Sequence, residues 1–234
     1  MKKNILFATM LALATTLFLT SCSDEDSEGK SRITYYPVLE IQGGSKIFVD
    51  KGSVFVDPGY TATLDGKDVT DQVNVTSNLN TNESGIYTIT YSIVNSDGFA
   101  ANARRTVVVL DPNSAVEGIY VTDPQSYRDY NGQVAYGRSF EILIFDNGNG
   151  TYNVDDLLGG WYCQRAGYGS NYAMQGVIAI DESGEISLVD SYVPGWNDGA
   201  TDLTGHFDAE THHISWVCEY TDYPFFFHVE LDKE

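Results

Sequence analysis

The 234-residue chain carries 13 Lys and Arg residues against 33 Asp and Glu residues, a formal net charge of −20. A surface this acidic repels phosphate, so the composition argues against nucleic acid and anionic membrane surfaces as partners. Hydrophobic residues make up 42% of the sequence and charged residues 20%, which is typical of a folded chain and not of a disordered acidic tail. The length allows one or two domains.

Residues 1–21 are predicted to be a lipoprotein signal peptide. A basic start precedes an apolar run over residues 5–19, which is too short to span a bilayer comfortably as a helix. The run ends in the segment LTSC, which resembles a bacterial lipobox, and the resemblance implies that Cys22 is lipidated and becomes the mature N-terminus. An ordinary cleavage site with a chance cysteine is the alternative. Two acyl chains would anchor the protein without a membrane-spanning helix.

Residues 22–35 are predicted to comprise the lipidated cysteine and an acidic stalk. The segment SDEDSE at residues 23–28 resembles the export signal that sends Bacteroidetes-type lipoproteins to the outer face of the outer membrane. A plain acidic spacer is the alternative. The resemblance implies a lipid-anchored outer-membrane protein that faces the cell exterior.

Residues 36–111 are predicted to form a small β-sandwich, because short strand patterns alternate with turns. In the longest pattern, residues 85–93, alternation places Tyr87, Ile89, Tyr91 and Ile93 on the core face.

Four segments of this domain occur in the order of a known repeat. They are FVDPGYTA at 55–62, DGKDVT at 65–70, GIYTITY at 85–91 and RRTVVV at 104–109. Together they resemble the bacterial immunoglobulin-like repeat first noted in pesticidal crystal proteins, with a departure at Asn95, where that family usually has Asp. The resemblance implies a spacer or adhesion module and no catalysis.

A second domain is predicted over residues 116–234. It contains 11 of the 16 Tyr residues and all of the Trp and His residues, and its charged residues are 4 basic against 20 acidic. Eight or nine short strand patterns, one of them at residues 160–164, predict an all-β fold. An antiparallel, lipocalin-like barrel and a sandwich are both open.

Several segments of the second domain resemble the C-terminal domain of Bacteroidetes surface lipoproteins found with glycan-uptake systems. They are NGTYNVDDLLGG at 149–160, PGW at 194–196, LTG at 203–205 and ISW at 214–216. The resemblance implies a partner role beside an outer-membrane transporter and its substrate-capturing lipoprotein.

Strand parity separates core aromatic residues from candidate binding residues. Alternation places Trp216 on a core face. Trp196 instead lies in the turn-forming segment VPGWNDG at 193–199, and Tyr168 and Tyr172 lie in GYGSNY at 167–172. The loop residues Tyr127 and Tyr130 fit the same argument more weakly.

Flat aromatic rings beside polar side chains suit the apolar faces and edge hydroxyls of sugars. The sequence therefore predicts a glycan platform, and the acid excess favours neutral sugars. The predicted site residues are Trp196, Tyr168, Tyr172, Asn171, Asn197, Asp198, Gln164 and Arg165. The alternative is that these loops fold over a barrel end and bury their own rings.

Cys163 and Cys218 would be the cysteines left besides the lipidated one. Export favours oxidation, so they either form a disulfide or remain buried free thiols. The sequence leaves both open.

The sequence carries no nucleophile-elbow, P-loop or HExxH motif, so we expect no enzyme. Asp155 and Asp156 are interpreted as solvated turn residues. His206, His212, His213 and His228 are expected to be separate imidazoles, with a metal site as the alternative. No cofactor is expected; the segment DNGNGT at 146–151 favours a hairpin turn, and a calcium ion there stays open.

These observations predict a noncatalytic, cell-surface, glycan-binding lipoprotein of an outer-membrane polysaccharide-uptake system. Its expected ligand is a neutral polysaccharide or oligosaccharide. The alternative is a structural spacer or protein-interaction subunit of the same complex, with no sugar site.

Overall fold

The computed structural model of the chain describes residues 33–220 and 224–234. The predicted signal peptide, the lipidation site at Cys22 and most of the predicted stalk lie outside these residues. None of the helices in the described ranges has the length and apolar character needed to cross a membrane.

The N-terminal domain has the predicted immunoglobulin-like architecture of two packed sheets. One sheet has the order β1-β3-β4, and the other has the order β2-β7-β6-β5, with β2 parallel to β7. Ile89, Tyr91, Val107 and Val109 form the core between them. The strands are β1 (Val38–Ile41), β2 (Lys46–Asp50), β3 (Tyr60–Leu64), β4 (Lys67–Asp68), β5 (Asn74–Ser77), β6 (Gly85–Val94) and β7 (Ala100–Leu110).

A buried arginine joins several of the sequence segments that resemble the immunoglobulin-like repeat. Arg105 is fully buried and lies 3.2 Å from the carboxylate of Asp57. Its guanidinium also donates to the hydroxyl of Tyr91 and to the carbonyl oxygens of Gly44 and Gly59, at 3.1, 2.6 and 3.1 Å. Because a buried charge needs such partners, three of the four segments noted in the sequence meet at one network.

The C-terminal domain is a closed antiparallel barrel of eight strands, in the order β8-β11-β12-β13-β14-β15-β16-β17, with β17 pairing back to β8. A hairpin of β9 and β10 extends the sheet from the first residues of β17. The strands are β8 (Gly118–Thr122), β9 (Tyr127–Asp129), β10 (Gln133–Ala135), β11 (Glu141–Asp146), β12 (Thr151–Val154), β13 (Gln175–Ile180), β14 (Glu185–Tyr192), β15 (Ala200–Asp208), β16 (His213–Tyr220) and β17 (Phe226–Lys233).

Alternation along the strands fills the barrel with apolar side chains, as β16 shows. Ile214, Trp216, Cys218 and Tyr220 point into the core, and the residues between them are partly exposed. The predicted core face of β16 is therefore confirmed.

The two barrel ends differ in their connections. Tight turns at 147–150, 181–184 and 209–212 close one end. Longer segments at 123–140, 155–174 and 193–199 cover the other, which we call the long-loop end. The loops that carry the predicted site residues all belong to the long-loop end.

The prediction of a strand at residues 160–164 is wrong, because the structure has a π-helix at Trp161–Arg165. Gly159 and Gly160 precede it with φ of 57° and 84°, a left-handed conformation that turns the chain out of an extended path. A Cβ at Gly160 would lie 2.7 Å from Phe140 Cβ, so a larger residue does not fit there.

The sandwich packs against the outer wall of the barrel. Val108 of β7 forms a buried apolar cluster with Leu143 and Phe145 of β11. Beside this cluster, Lys46 of β2 pairs with Glu141 of β11. The two domains therefore share a buried apolar contact as well as an ion pair.

Candidate functional site

The long-loop end brings together the three aromatic residues that the sequence singled out. The ring centroids of Tyr172 and Trp196 are 4.9 Å apart, those of Tyr168 and Tyr172 are 5.5 Å apart, and those of Tyr168 and Trp196 are 6.3 Å apart. Tyr168 is 56% exposed and Trp196 is 39% exposed, whereas Tyr172 is half-buried. We call these three residues the aromatic platform.

The aromatic platform rests on rings that continue into the barrel core. Tyr162, from the π-helix, lies 4.8 Å from Trp196 and 6.0 Å from the buried Phe227, measured between ring centroids. Tyr220, at the end of β16, lies 6.3 Å from Trp196. Edge-to-face contacts of this kind hold rings in fixed orientations, so the exposed faces are positioned before any ligand arrives.

The loop at 193–199 is shaped by its own backbone. The amide of Val193 donates to the carbonyl of Asp198 at 2.7 Å, and Asn197 adopts a left-handed conformation with φ of 58°. The amide of Gly195 donates to the carbonyl of Asn171 at 2.7 Å, which ties this loop to the one that carries Tyr172. A Cβ on Gly195 would lie 2.5 Å from Tyr172 Cε1, so glycine lets the ring lie directly against the loop.

The interpretation of Asp156 as a solvated turn residue is wrong, because its side chain is buried and holds the start of the 155–174 loop. Its carboxylate accepts hydrogen bonds from the amides of Leu158, Gly160 and Met174, at 3.0, 3.2 and 3.1 Å. Complete burial raises the pKa of Asp156 to about 7, although these three hydrogen bonds act in the opposite direction. Two core side chains also bind this loop. The indole N–H of Trp216 donates to the carbonyl of Leu157, and the hydroxyl of Tyr136 donates to the carbonyl of Leu158.

Polar groups surround the aromatic platform. The hydroxyl of Tyr220 donates to Asp198 at 2.7 Å, and the hydroxyl of Tyr192 donates to Asn197 at 3.0 Å. Burial, followed by the hydrogen bond to Asp198, raises the pKa of Tyr220 well above its usual value, so its hydroxyl keeps its proton. The side chain of Asn171 is exposed. Asn171, Asn197 and Asp198 form the polar rim of the platform.

Gln164 and Arg165, which the sequence also placed in the site, both contact neighbouring backbone in the structure. Gln164 Nε2 donates to the carbonyl of Glu141 at 2.8 Å. The guanidinium of Arg165 lies 4.1 Å from the centroid of the Trp161 ring and donates to the carbonyl of Tyr136. In the π-helix both side chains lie against neighbouring backbone. In the strand that the sequence predicted, alternation would have directed one of them outwards.

Sequence reasoning missed several residues that support the platform. Tyr162 was hidden by the incorrect strand prediction. Tyr192 lies at the end of β14 and gave no turn signal. Arg128 lies between the rings of Trp161 and Phe225, 5.0 and 5.3 Å from their centroids, and hydrogen-bonds Tyr162. Only the high density of aromatic residues in this domain pointed to these contacts.

The histidines are dispersed over the barrel. His206 lies 3.3 Å from Glu185, His228 stacks on Tyr127 with centroids 4.2 Å apart, and His213 contacts two carboxylates. Among residues 33–220 and 224–234, no group of three His, Cys, Asp or Glu side chains could hold a metal ion.

The segment at 146–151 forms the hairpin turn that its sequence favours. Asp146 accepts from the amide of Gly148 at 2.7 Å, and Asn149 accepts from the amide of Thr151 at 3.1 Å. These side-chain oxygens are used to close the turn. The expectation of no cofactor, with calcium at this turn as the open alternative, stays a prediction.

Cys163 and Cys218 are not bonded to each other in the structure and stand there as two free thiols. Cys218 is buried in the barrel core and Cys163 lies on the π-helix, partly buried. Burial raises the pKa of the Cys163 thiol to about 12, with a further contribution from Asp156. Both residues therefore act as small hydrophobic side chains.

Comparisons with known proteins agree with the two-domain architecture. A family model of a C-terminal domain matches residues 109–233, and the model of the bacterial surface protein Ig-like domain matches residues 39–109. The crystal structure of the lipoprotein BT2262 from Bacteroides thetaiotaomicron is similar to 85% of this chain and 100% of that chain, with 37% sequence identity and a TM-score of 0.74. The chain belongs to the family of this lipoprotein, and that family's name denotes no catalytic activity.

Other comparisons give weaker results. A structure of the M60 catalytic domain with two CBM51 domains of Clostridium perfringens ZmpB matches with 14% identity and a TM-score of 0.29, over 87% of this chain and 24% of that chain. A structure of CBM51-2 with GlcNAc and INT domains from the same protein matches with 15% identity and a TM-score of 0.27, over 84% and 43%. These TM-scores are too low to indicate a shared fold. A comparison with curated protein sequences finds no match.

Proposed function

We propose that the protein is a noncatalytic, cell-surface lipoprotein that binds a neutral polysaccharide or oligosaccharide as part of an outer-membrane uptake system. The observation that carries the proposal is the aromatic platform: Tyr168, Tyr172 and Trp196 present partly exposed rings on a base that continues into the core. The outer faces of the Trp196 indole and the Tyr168 phenol are not used in packing the fold. They are therefore available to contact a ligand.

The chemistry of the platform suits sugars. A pyranose ring has an apolar C–H face that packs on an aromatic ring, and hydroxyl groups at its edge that need hydrogen-bond partners. Asn171, Asn197 and Asp198 supply amide and carboxylate groups around the rings. Because the domain carries 4 basic against 20 acidic residues, it repels sulfated or otherwise acidic polymers.

The placement at the membrane is part of the proposal. The lipobox-like segment ending at Cys22 and the acidic segment at 23–28 support a lipid anchor on the outer face of the outer membrane. Membership of a surface lipoprotein family supports the same location. The sandwich would then hold the barrel away from the membrane, beside an outer-membrane transporter and its substrate-capturing lipoprotein.

The carboxylates of the long-loop end support a noncatalytic role. Asp156 is buried and its oxygens bind three backbone amides, so it has no access to a substrate. Asp198 faces the platform, and its partner is the hydroxyl of Tyr220.

The test is a binding screen of a soluble form, residues 23–234, against neutral and acidic polysaccharides with and without calcium. We expect micromolar to millimolar binding to a neutral polymer, lost in Trp196→Ala. Tyr35→Ala is the matched control, because Tyr35 is an exposed aromatic residue that precedes the other domain, away from the barrel loops. Absence of binding to every polymer, with circular dichroism showing a folded protein, would exclude a sugar site.

One observation favours the alternative of a protein-interaction subunit. Val54 and Val56, in the loop between β2 and β3, are 88% and 78% exposed. Neighbouring apolar side chains on a surface loop are typical of a protein contact. If the Val54→Ser/Val56→Ser variant loses co-purification with the transporter while Trp196→Ala retains both its partners and its cargo, this alternative replaces the glycan proposal.

A further inference from the structure

A second concave surface lies between the two domains. It is a cleft of about 440 Å³, within the range of about 300 to 1,000 Å³ that is usual for ligand sites. The start of β6, at Ser84 and Ile86, forms its sandwich side. The outer wall of β12, β13 and β14 forms its barrel side.

The cleft is held open by fixed contacts between the domains. Glu117 is buried, and its two carboxylate oxygens accept from the amides of Asp111 and Asp146 at 2.6 and 3.0 Å, which ties the connecting segment to the barrel. The cluster of Val108, Leu143 and Phe145 packs the walls together on one side. The cleft is therefore formed in the absence of a ligand.

The side chains in the cleft favour a ligand rich in hydroxyl groups. Asp190 contributes an exposed carboxylate and Gln175 an exposed amide, whereas the carboxylate of Asp155 accepts from the amide of Leu143 at 2.8 Å. The hydroxyl oxygen of Ser84 is buried and, within the described part of the chain, has no hydrogen-bond partner. Ile86 adds an exposed apolar surface. None of the described residues that line the cleft is Lys or Arg, so anionic groups are disfavoured.

Tyr192 connects this cleft to the aromatic platform. Its side chain lines the cleft, and its hydroxyl donates to Asn197, which neighbours Trp196. The side chain of Tyr192 therefore lies between the cleft and the aromatic platform.

We propose that the interdomain cleft is a second subsite for the same neutral glycan, so that one extended saccharide chain runs from Trp196 past Tyr192 to Asp190 and Ser84. This inference rests on the proposed function. It makes the protein selective for chain length, because a mono- or disaccharide covers only the aromatic platform. The sandwich domain then supplies part of the binding surface in addition to acting as a spacer.

The test is calorimetry with oligosaccharides of increasing length, cut from the polymer that binds. We expect affinity to rise by about tenfold or more once the chain is long enough to reach the cleft. The variant Gln175→Ala/Asp190→Ala should lower the affinity for long chains about fivefold or more and leave the affinity for short chains unchanged. Glu182→Ala, in an exposed turn at the opposite end of the barrel, is the matched control.

The outcomes separate the two proposals. An affinity that stops rising at the disaccharide, or long-chain binding that is unchanged in Gln175→Ala/Asp190→Ala, overturns the cleft subsite while the platform stands. Equal loss of short-chain and long-chain binding in that variant also overturns it. Absence of any saccharide binding by the folded wild-type protein overturns both proposals together.

Discussion

The hydroxyl of Tyr220 donates a hydrogen bond of 2.7 Å to Oδ1 of Asp198. Tyr220 is the last residue of β16 and its side chain is buried, whereas Asp198 belongs to the loop that carries Trp196. A core strand is thereby tied directly to the loop that carries Trp196. This bond acts together with the backbone bonds of Val193 and Gly195 that hold the same loop.

Replacing Tyr220 with Phe removes only this hydroxyl. We expect the free energy of unfolding to fall by about 1 kcal/mol, because one hydrogen bond to a carboxylate is lost. Glycan affinity should fall as well, since the Trp196 loop loses its anchor. Urea unfolding and calorimetry measure the two effects. Tyr152→Phe is the control at the opposite barrel end, and equal effects in both variants would contradict the role of the Asp198 contact.

Replacing Gly195 with Ala tests the contact between the two platform loops. The new Cβ would lie 2.5 Å from Tyr172 Cε1, so the ring must move. We expect glycan affinity to fall about threefold or more with a small change in melting temperature. Pro194→Ala changes the same exposed loop without touching that ring and should bind normally. If Gly195→Ala binds as the wild type does, the position of Tyr172 is not part of the site.

Removing the Asp156 side chain tests the support of the 155–174 loop. In Asp156→Ala three buried backbone amides lose their acceptor, and we expect a loss of about 3 kcal/mol or more of unfolding free energy. Asp208→Ala, which removes a carboxylate from an exposed turn, should lower the unfolding free energy far less. Urea unfolding at constant pH compares them. Similar losses would show that the buried carboxylate has no special role.

The same residue predicts how stability changes with pH. The pKa of Asp156 is raised from 3.8 to about 7 in the folded protein, because burial disfavours the charged form. Between these values the folded protein binds a proton that the unfolded chain has released, so the free energy of unfolding falls as the pH rises from about 4 to about 7. Asp155, with its pKa raised to about 6 by burial, contributes in the same direction.

Unfolding by urea across that pH range measures this dependence. We expect the slope to be smaller in Asp156→Asn, which cannot ionise. His213 adds to the remaining slope: burial lowers its pKa, but hydrogen bonds with Asp232 and Glu230 outweigh burial and raise it, so stability falls as the pH passes above it. An identical slope in wild type and Asp156→Asn would contradict the buried, raised pKa of Asp156.

The thiols give a simple chemical check. In denaturant and without a reducing agent, a soluble form lacking residues 1–22 should react as two free thiols, Cys163 and Cys218. In the native state both should react slowly, because burial raises the pKa of each thiol. Absence of reactive thiols in denaturant would mean that the two residues form a disulfide.

The strand faces could be predicted where a two-residue period is visible. Along β16 every second residue is apolar, and Ile214 and Trp216 are buried as that pattern requires. The choice between barrel and sandwich could not be made in this way. It depends on pairing between β17 and β8, where Leu231 lies opposite Thr122, and local sequence carries no signal for a contact this distant.

The candidate site was predictable only in part. Turn residues around Trp196 placed that indole on a loop, and the structure brings it to Tyr168 and Tyr172. The π-helix was missed, because it depends on two consecutive left-handed glycines and on the distant contacts of Asp156. That error also hid Tyr162.

The most direct measurement of the central claim is a crystal structure of the soluble protein with the oligosaccharide that it binds. The account predicts a sugar ring packed on the indole of Trp196, with carbon atoms within about 4 Å of the ring. Its hydroxyl groups should hydrogen-bond the rim at Asn197 and Asp198. A saccharide bound elsewhere, with the face of Trp196 uncovered, would contradict the account.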